Sequence, residues 1–167
     1  MPDIFRVGGS RDNREYELAL NWDDAAFVDG KVAFEIQARS RVPGEDWRGV
    51  NAQVSLEPSD GQAVLIVALE GKELLRFPMA ELAIAEQILE KIPAWVFTMG
   101  DPITGCLLRT GLSVTIGQTI TCKNTTEEHK WFWDRSRAIG VCLREHLPSM
   151  GATAAWRAAR CIFRAGF

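Results

Sequence analysis

From residue 16 to residue 77 the chain alternates apolar and polar side chains in short runs separated by tight-turn residues, a pattern that fits an antiparallel sheet with one buried face. Tyr16, Leu18, Leu20 and Trp22 interleave with Glu15, Glu17, Ala19 and Asn21. Asp29-Gly30 then separates Ala26-Phe27-Val28 from a second run that places Val32, Phe34, Ile36 and Ala38 on one side. That dipeptide is a hairpin signal, because glycine takes positive φ without steric cost and aspartate tolerates it. Pro43-Gly44-Glu45-Asp46 breaks the pattern, Val50, Ala52, Val54 and Leu56 resume it, and Pro58-Ser59-Asp60-Gly61 turns the chain again. Residues 63–69 are apolar on both sides, which predicts a central strand with both faces covered. Glu70-Gly71 leads into a last strand over 73–77, and Pro78 ends it by removing a ladder donor.

After Pro78 the period changes to that of a helix. Met79, Leu82, Ala85, Leu89 and Ile92 form one stripe, widened by Ile84 and Ile88, and Pro93 stops it. This helix, 79–92, is the expected cover for strand 63–69. Residues 94–99 read as another strand, Gly100-Asp101-Pro102 and Gly105 as a loop, and 112–122 as alternating strand residues with a bulge at Gly117. Thr125 and Glu128 have capping-box spacing, predicting a helix from about Thr126 to Leu147 that buries Phe132, Ile139, Cys142 and Leu143. Pro148 to Gly151 is expected to break the chain before a final helix over 152–164.

The reading is therefore a single α+β domain over 1–167. An antiparallel meander of five to seven strands (13–77, with further strands in 94–122) has one central helix and a C-terminal helical pair (125–165) packed on one face. Residues 1–12 carry no pattern and are expected to be loosely held. No window reaches the ~18 apolar residues of a membrane span and no apolar leader segment opens the chain, so a cytoplasmic setting is expected.

Charge is unevenly placed. Residues 1–100 hold 17 acidic and 10 basic side chains, whereas residues 101–167 hold five and nine. Such a split lets the two parts attract each other, or lets one face meet a charged partner. The cysteines Cys106, Cys122, Cys142 and Cys161 lack the paired spacing of a zinc site. Buried reduced thiols are the expectation, with a Cys106–Cys122 bridge between opposed strands as the alternative.

Motifs of the common enzyme classes are missing. Gly100 and Gly105 have the glycine spacing of a phosphate loop, but Cys106-Leu107 stands where its lysine and hydroxyl belong. His129 and His146 are the only imidazoles and sit badly for shared ligation with neighbouring carboxylates, so no metal and no cofactor is expected. Asp23, Asp24 and Asp29 lack the spacing of a calcium loop, and Asn124-Thr125-Thr126 fits a glycosylation sequon but reads better as a helix cap.

Two features point to contact with another molecule. Trp131-Phe132-Trp133 cannot all face one sheet, because helical neighbours diverge by about 100°. Either the final helix covers the odd aromatic with Trp156 and Phe163, or Trp131 and Trp133 anchor a partner. Arg157, Arg160 and Arg164 form a cationic stripe on a final helix with no acid after Glu145. Three charges in an acidic chain are few for nucleic acid, which is not expected as a partner.

These features suggest a non-catalytic protein-binding factor of accessory, inhibitor or immunity type, contacting another protein through Glu15, Glu17, Asp23 and Asp24, through the tryptophans, or through the arginine stripe. The competing readings are a small enzyme or ligand-binding domain using Cys106 or Cys122 with His129 and Arg109, and a structural homo-oligomer joined by a strand edge or the terminal helix.

Overall fold

In the computed structural model of the chain, six antiparallel strands follow one another in sequence order: β1 (Asp3–Arg11), β2 (Arg14–Trp22), β3 (Val32–Arg41), β4 (Arg48–Ser59), β5 (Gln62–Leu69) and β6 (Lys72–Pro78). The structure describes residues 3–22, 32–59, 62–81, 83–98, 101–128 and 132–164. The Asp29-Gly30 turn lies outside them. After the sheet come α1 (Ala85–Lys91), α2 (Pro102–Asn124), α3 (Phe132–Glu145) and α4 (Leu147–Arg164), with short 3-10 turns at Met79–Glu81 and Ala94–Phe97. The arrangement is α+β, a six-stranded antiparallel meander with a long central helix and two C-terminal helices.

The alternation translates directly into register. Leu20 pairs with Ile36, Ile36 with Ala52, Phe34 with Val54 and Val54 with Val67. These side chains share the inner face, and all are buried. Residues 1–12 were expected to be loose, yet residues 3–11 form β1, an edge strand that pairs Val7 with Leu18 and Phe5 with Leu20. Its turn is made by Asp12 (φ 48°) and Asn13 (φ 61°), the left-handed pair that a two-residue hairpin requires. Glu70 (φ 51°) and Gly71 (φ 81°) make the same kind of turn between β5 and β6.

Sequence and structure diverge beyond residue 78. The expected helix over 79–92 is a 3-10 turn followed by the seven-residue α1, which packs on α2. The segment 94–99 contains a 3-10 turn, and 112–122 belongs to α2, so neither is strand. It is α2 that covers the sheet, lying across β3 with contacts to β2 and β4. The start signals were present, since Asp101 accepts a hydrogen bond from the Thr104 amide (2.8 Å) as N-cap and Pro102 occupies the first turn.

What concealed α2 is burial on nearly every side. Leu107, Leu108, Leu112, Ile116, Ile120 and Cys122 are buried together with Thr110, Thr115 and Thr119, which leaves no polar stripe to reveal a 3.6-residue period. The buried hydroxyls are satisfied within the helix, Thr115 Oγ1 donating to the Gly111 carbonyl (2.7 Å) and Thr119 Oγ1 to the Thr115 carbonyl (2.8 Å). Each fully buried leucine or isoleucine contributes roughly 1.5–3 kcal/mol relative to exposure. Removing α2 would therefore dismantle the core.

The C-terminal helices also depart from expectation. Thr125 to Glu128 form a turn that closes α2 rather than a cap that opens the next helix. The Thr125 and Thr126 hydroxyls both donate to the Cys122 carbonyl, satisfying the end of α2 (3.1 and 2.8 Å). Pro148 does not break the chain either. It falls in the first turn of α4, where a missing N–H costs nothing, and the junction with α3 narrows to His146. The α4 helix packs on α2 and on β1, with Gly151 against the Phe5 side chain.

Candidate functional site

The outward face of α4 is built by simple periodicity. Met150, Ala154, Ala158 and Ile162 recur every four residues and are buried. Trp156, Arg160 and Phe163 then fall on the opposite side, within about 60° of one another at 100° per residue. Trp156 is 61% exposed and Phe163 74%. A buried stripe of small and apolar residues turns these two aromatics outward, and whether they cover an aromatic of the 131–133 segment lies outside the described residues.

Cations frame both rings. The Arg160 guanidinium stands 4.5 Å from the Trp156 ring centre, and Arg11 of the first hairpin stands 5.0 Å from that of Phe163. Arg11 also donates to the Ile162 carbonyl, tying β1 to the last turn of α4. Arg157, Arg160 and Arg164 surround Cys161 in a shallow open depression, and Arg157 donates to Ser113 Oγ (3.2 Å). Among the described residues no carboxylate forms a salt bridge with these three arginines. The stripe is an array of rings and guanidiniums that no carboxylate pairs with among the described residues.

The acidic candidates are placed differently. Glu17 Oε1 accepts from Arg39 (Nη2 at 2.6 Å, Nε at 3.0 Å) and from Arg6, and Glu15 pairs with Arg41 at 2.7 Å. Arg39 and Arg41 in turn stand 4.6 and 4.3 Å from the Trp47 ring centre. Glu15 and Glu17 therefore carry charge already matched across the strands. Asp23, Asp24, His129 and Trp131 lie outside the described residues, as does the side chain of Trp133.

A polar cleft of about 460 Å³ opens where α2 begins, lined in part by Arg14, Ser40, Arg41, Arg48, Asp101 and Thr104. Asp101 is its centre, accepting from Ser40 Oγ and, at 2.8 Å, from Arg14 Nη1. Burial pushes the Asp101 carboxyl up, but the hydrogen bonds from Ser40 and Thr104 and the Arg14 charge outweigh it, so the group sits below its ordinary value. Arg14, Ser40, Asp101 and Thr104 answer one another within this knot, and Arg41 pairs with Glu15. The knot fastens the start of α2 to the ends of β2 and β3.

All four cysteines are bridged, Cys106 to Cys161 and Cys122 to Cys142, which corrects the expectation of free thiols. A Cys106–Cys122 bridge is ruled out because both residues lie on α2, about 24 Å apart at 1.5 Å per residue. Each bridge instead ties α2 to a neighbour, Cys106 to α4 and Cys122 to α3. The observed Cα separations of 5.9 and 5.7 Å suit such bonds. Of the nucleophile candidates, both thiols are thus covalently engaged, and Arg109 stacks 5.3 Å from the Phe97 ring centre.

No protein-family model, no curated protein and no solved structure matches this chain. Its class rests on its own architecture: an α+β meander over a buried helix, edged by an amphipathic helix that displays aromatic rings and arginines. The signal for that display was readable as the i, i+4, i+7 spacing of Trp156, Arg160 and Phe163 opposite four small or apolar residues.

Proposed function

We propose that the protein is a non-catalytic docking factor that binds another protein through the outer face of α4. The observation that carries this reading is the exposure of Trp156 and Phe163 on one stripe with Arg160 between them. Tryptophan and arginine dominate the energetically important positions of protein interfaces, and paired large rings in water favour burial against a partner. With Arg157, Arg160 and Arg164 lacking salt-bridge partners among the described residues, the complementary surface carries carboxylates around an apolar recess. A role of accessory, inhibitor or immunity type fits a chain whose contact surface is a rigid helix face.

A photo-crosslinking residue placed at 156 or 163 in living cells tests the reading, with position 72 on the β5–β6 hairpin as the control. The expected result is one dominant protein adduct from 156 and 163, absent from 72 and lost when Arg160→Glu is added. Adducts with lipid alone, or none, would sink the proposal. Adducts between copies of the chain would make it an oligomeric subunit instead.

The cytoplasmic location is carried as part of the same proposal. Among the described residues no helix is long and apolar enough to cross a membrane. In the cytoplasm dithiol pools keep most cysteines reduced, so the two bridges would be the oxidised form of interconverting pairs. Rapid alkylation in intact cells is expected to trap free thiols, whereas two persistent bridges would place the protein in an oxidising compartment.

A further inference from the structure

Three metal-ligating side chains converge where the end of α2 meets α3. Cys122 and Cys142 form one of the bridges, and His146 follows Cys142 by four residues, just past the end of α3 and within reach of it. Ligand atoms of Cys122, Cys142 and His146 all lie within 4.8 Å of one another, with His146 Nδ1 3.8 Å from Cys142 Sγ. Donors around a tetrahedral zinc, at ~2.3 Å for sulfur and ~2.0–2.1 Å for nitrogen, stand at about these separations from each other.

The surroundings are those of a ligand set. Gln118 Nε2 donates toward Cys122 Sγ at 3.6 Å, and Thr125 Oγ1 lies 3.9 Å from Cys142 Sγ. Gln118 is positioned to donate to a thiolate, and the Thr125 hydroxyl, which donates to the Cys122 carbonyl, can reach the other sulfur only by rotating away from it. In the oxidised form the His146 ring is held by its Nδ1 contact with the Cys142 carbonyl (2.7 Å), a contact that Nδ1 gives up when it turns its lone pair to the metal. Cys122 is buried, while Cys142 and His146 line an open cleft whose rim includes Glu128, Asp134 and Glu145. An ion would have a route in.

We propose that Cys122, Cys142 and His146 form a redox-gated zinc site. When oxidised, the sulfurs bond to each other and the site is closed. A dithiol reductant delivers two electrons and two protons to the bridge and leaves as its own disulfide, and the sulfurs separate as two thiols. Zinc then binds two thiolates and one imidazole nitrogen, releases the two thiol protons, and keeps a fourth position toward the cleft for water. Thiolate and imidazole donors suit zinc over calcium or magnesium, which take oxygen ligands.

The test uses a Cys106→Ser, Cys161→Ser double variant, which keeps only the pair in question. Reduced anaerobically with a phosphine and titrated with Co(II), it is expected to bind one ion per chain, with thiolate-to-cobalt charge-transfer absorption that stoichiometric Zn(II) abolishes. The oxidised form is expected to show none. His146→Ala, a change at the rim of the cleft, should weaken binding by more than the ~10–100-fold that loss of a supporting contact costs. Absence of the band, binding unchanged by His146→Ala, or loss of the near-UV circular dichroism on reduction would each overturn the proposal. If the double variant does not fold, reduced wild-type protein takes its place, and a band that survives Cys122→Ser, Cys142→Ser would overturn it equally.

Discussion

Gly111 of α2 lies so close to Ile36 of β3 that a Cβ at position 111 would stand 2.6 Å from Ile36 Cγ2, with Leu18 Cδ1 at 3.2 Å. The central helix seats on the middle of the sheet through a glycine. At Gly117, six residues further on, a Cβ would meet nothing within 4 Å. Two alanine substitutions in one helix should therefore act in opposite directions. Gly111→Ala is expected to destabilise by about 1–3 kcal/mol through overpacking, and Gly117→Ala to stabilise by up to ~1 kcal/mol through helix propensity. Chemical denaturation read by far-UV circular dichroism checks both midpoints.

Asp101 should make stability pH-dependent. Its carboxyl is held below its ordinary value in the fold, so its contribution is complete above the unfolded value of about 3.9 and is lost as pH falls through the lower, folded one. Asp101→Ala is expected to cost about 1–2 kcal/mol at neutral pH through loss of the helix cap. The gap between variant and parent should narrow on acidification below the usual carboxylate range. A gap that widened with acid would contradict the assignment.

Glu17 joins three strands through Arg6 on β1 and Arg39 on β3. Because the pairs are partly exposed, Glu17→Gln should cost no more than about 1 kcal/mol. Most of that loss should vanish in ~1 M salt, where the screening length falls to about 3 Å. Urea midpoints measured at low and high salt report it directly.

Each disulfide should stabilise the fold by about 2–4 kcal/mol by restricting the unfolded chain. The bridges enclose 55 and 20 residues, and the longer loop belongs to Cys106–Cys161. Replacing that pair by serine is expected to lower the denaturation midpoint at least as much as replacing Cys122 and Cys142. Midpoints under oxidising conditions give the comparison.

The meander was legible because its strands are amphipathic. Leu18, Leu20, Phe34, Ile36, Val54 and Leu56 were assigned to one face by alternation alone, and all are buried. The first strand escaped because it offers the inner face little beyond Phe5, Val7 and a glycine, although Asp12-Asn13 marked its turn. Of the candidate contact residues, the arginine stripe of α4 is gathered on one helix, whereas Glu15 and Glu17 already have basic neighbours. The exposure of Trp156 and Phe163 follows from the opposite stripe, whose small and apolar residues pack on the core.

The sequence by itself determined that residues 13–77 form a meander of strands, which residues of β2–β4 share a face, and the cationic stripe of the last helix. These follow from contrast between neighbouring side chains, which is local. Only the tertiary structure decided that residues 102–124 are helix, which cysteines meet, and that His146 joins two sulfurs. A helix enclosed by a sheet and three other helices has no polar side to show its period, and groups 20 or 55 residues apart meet only once the core has packed.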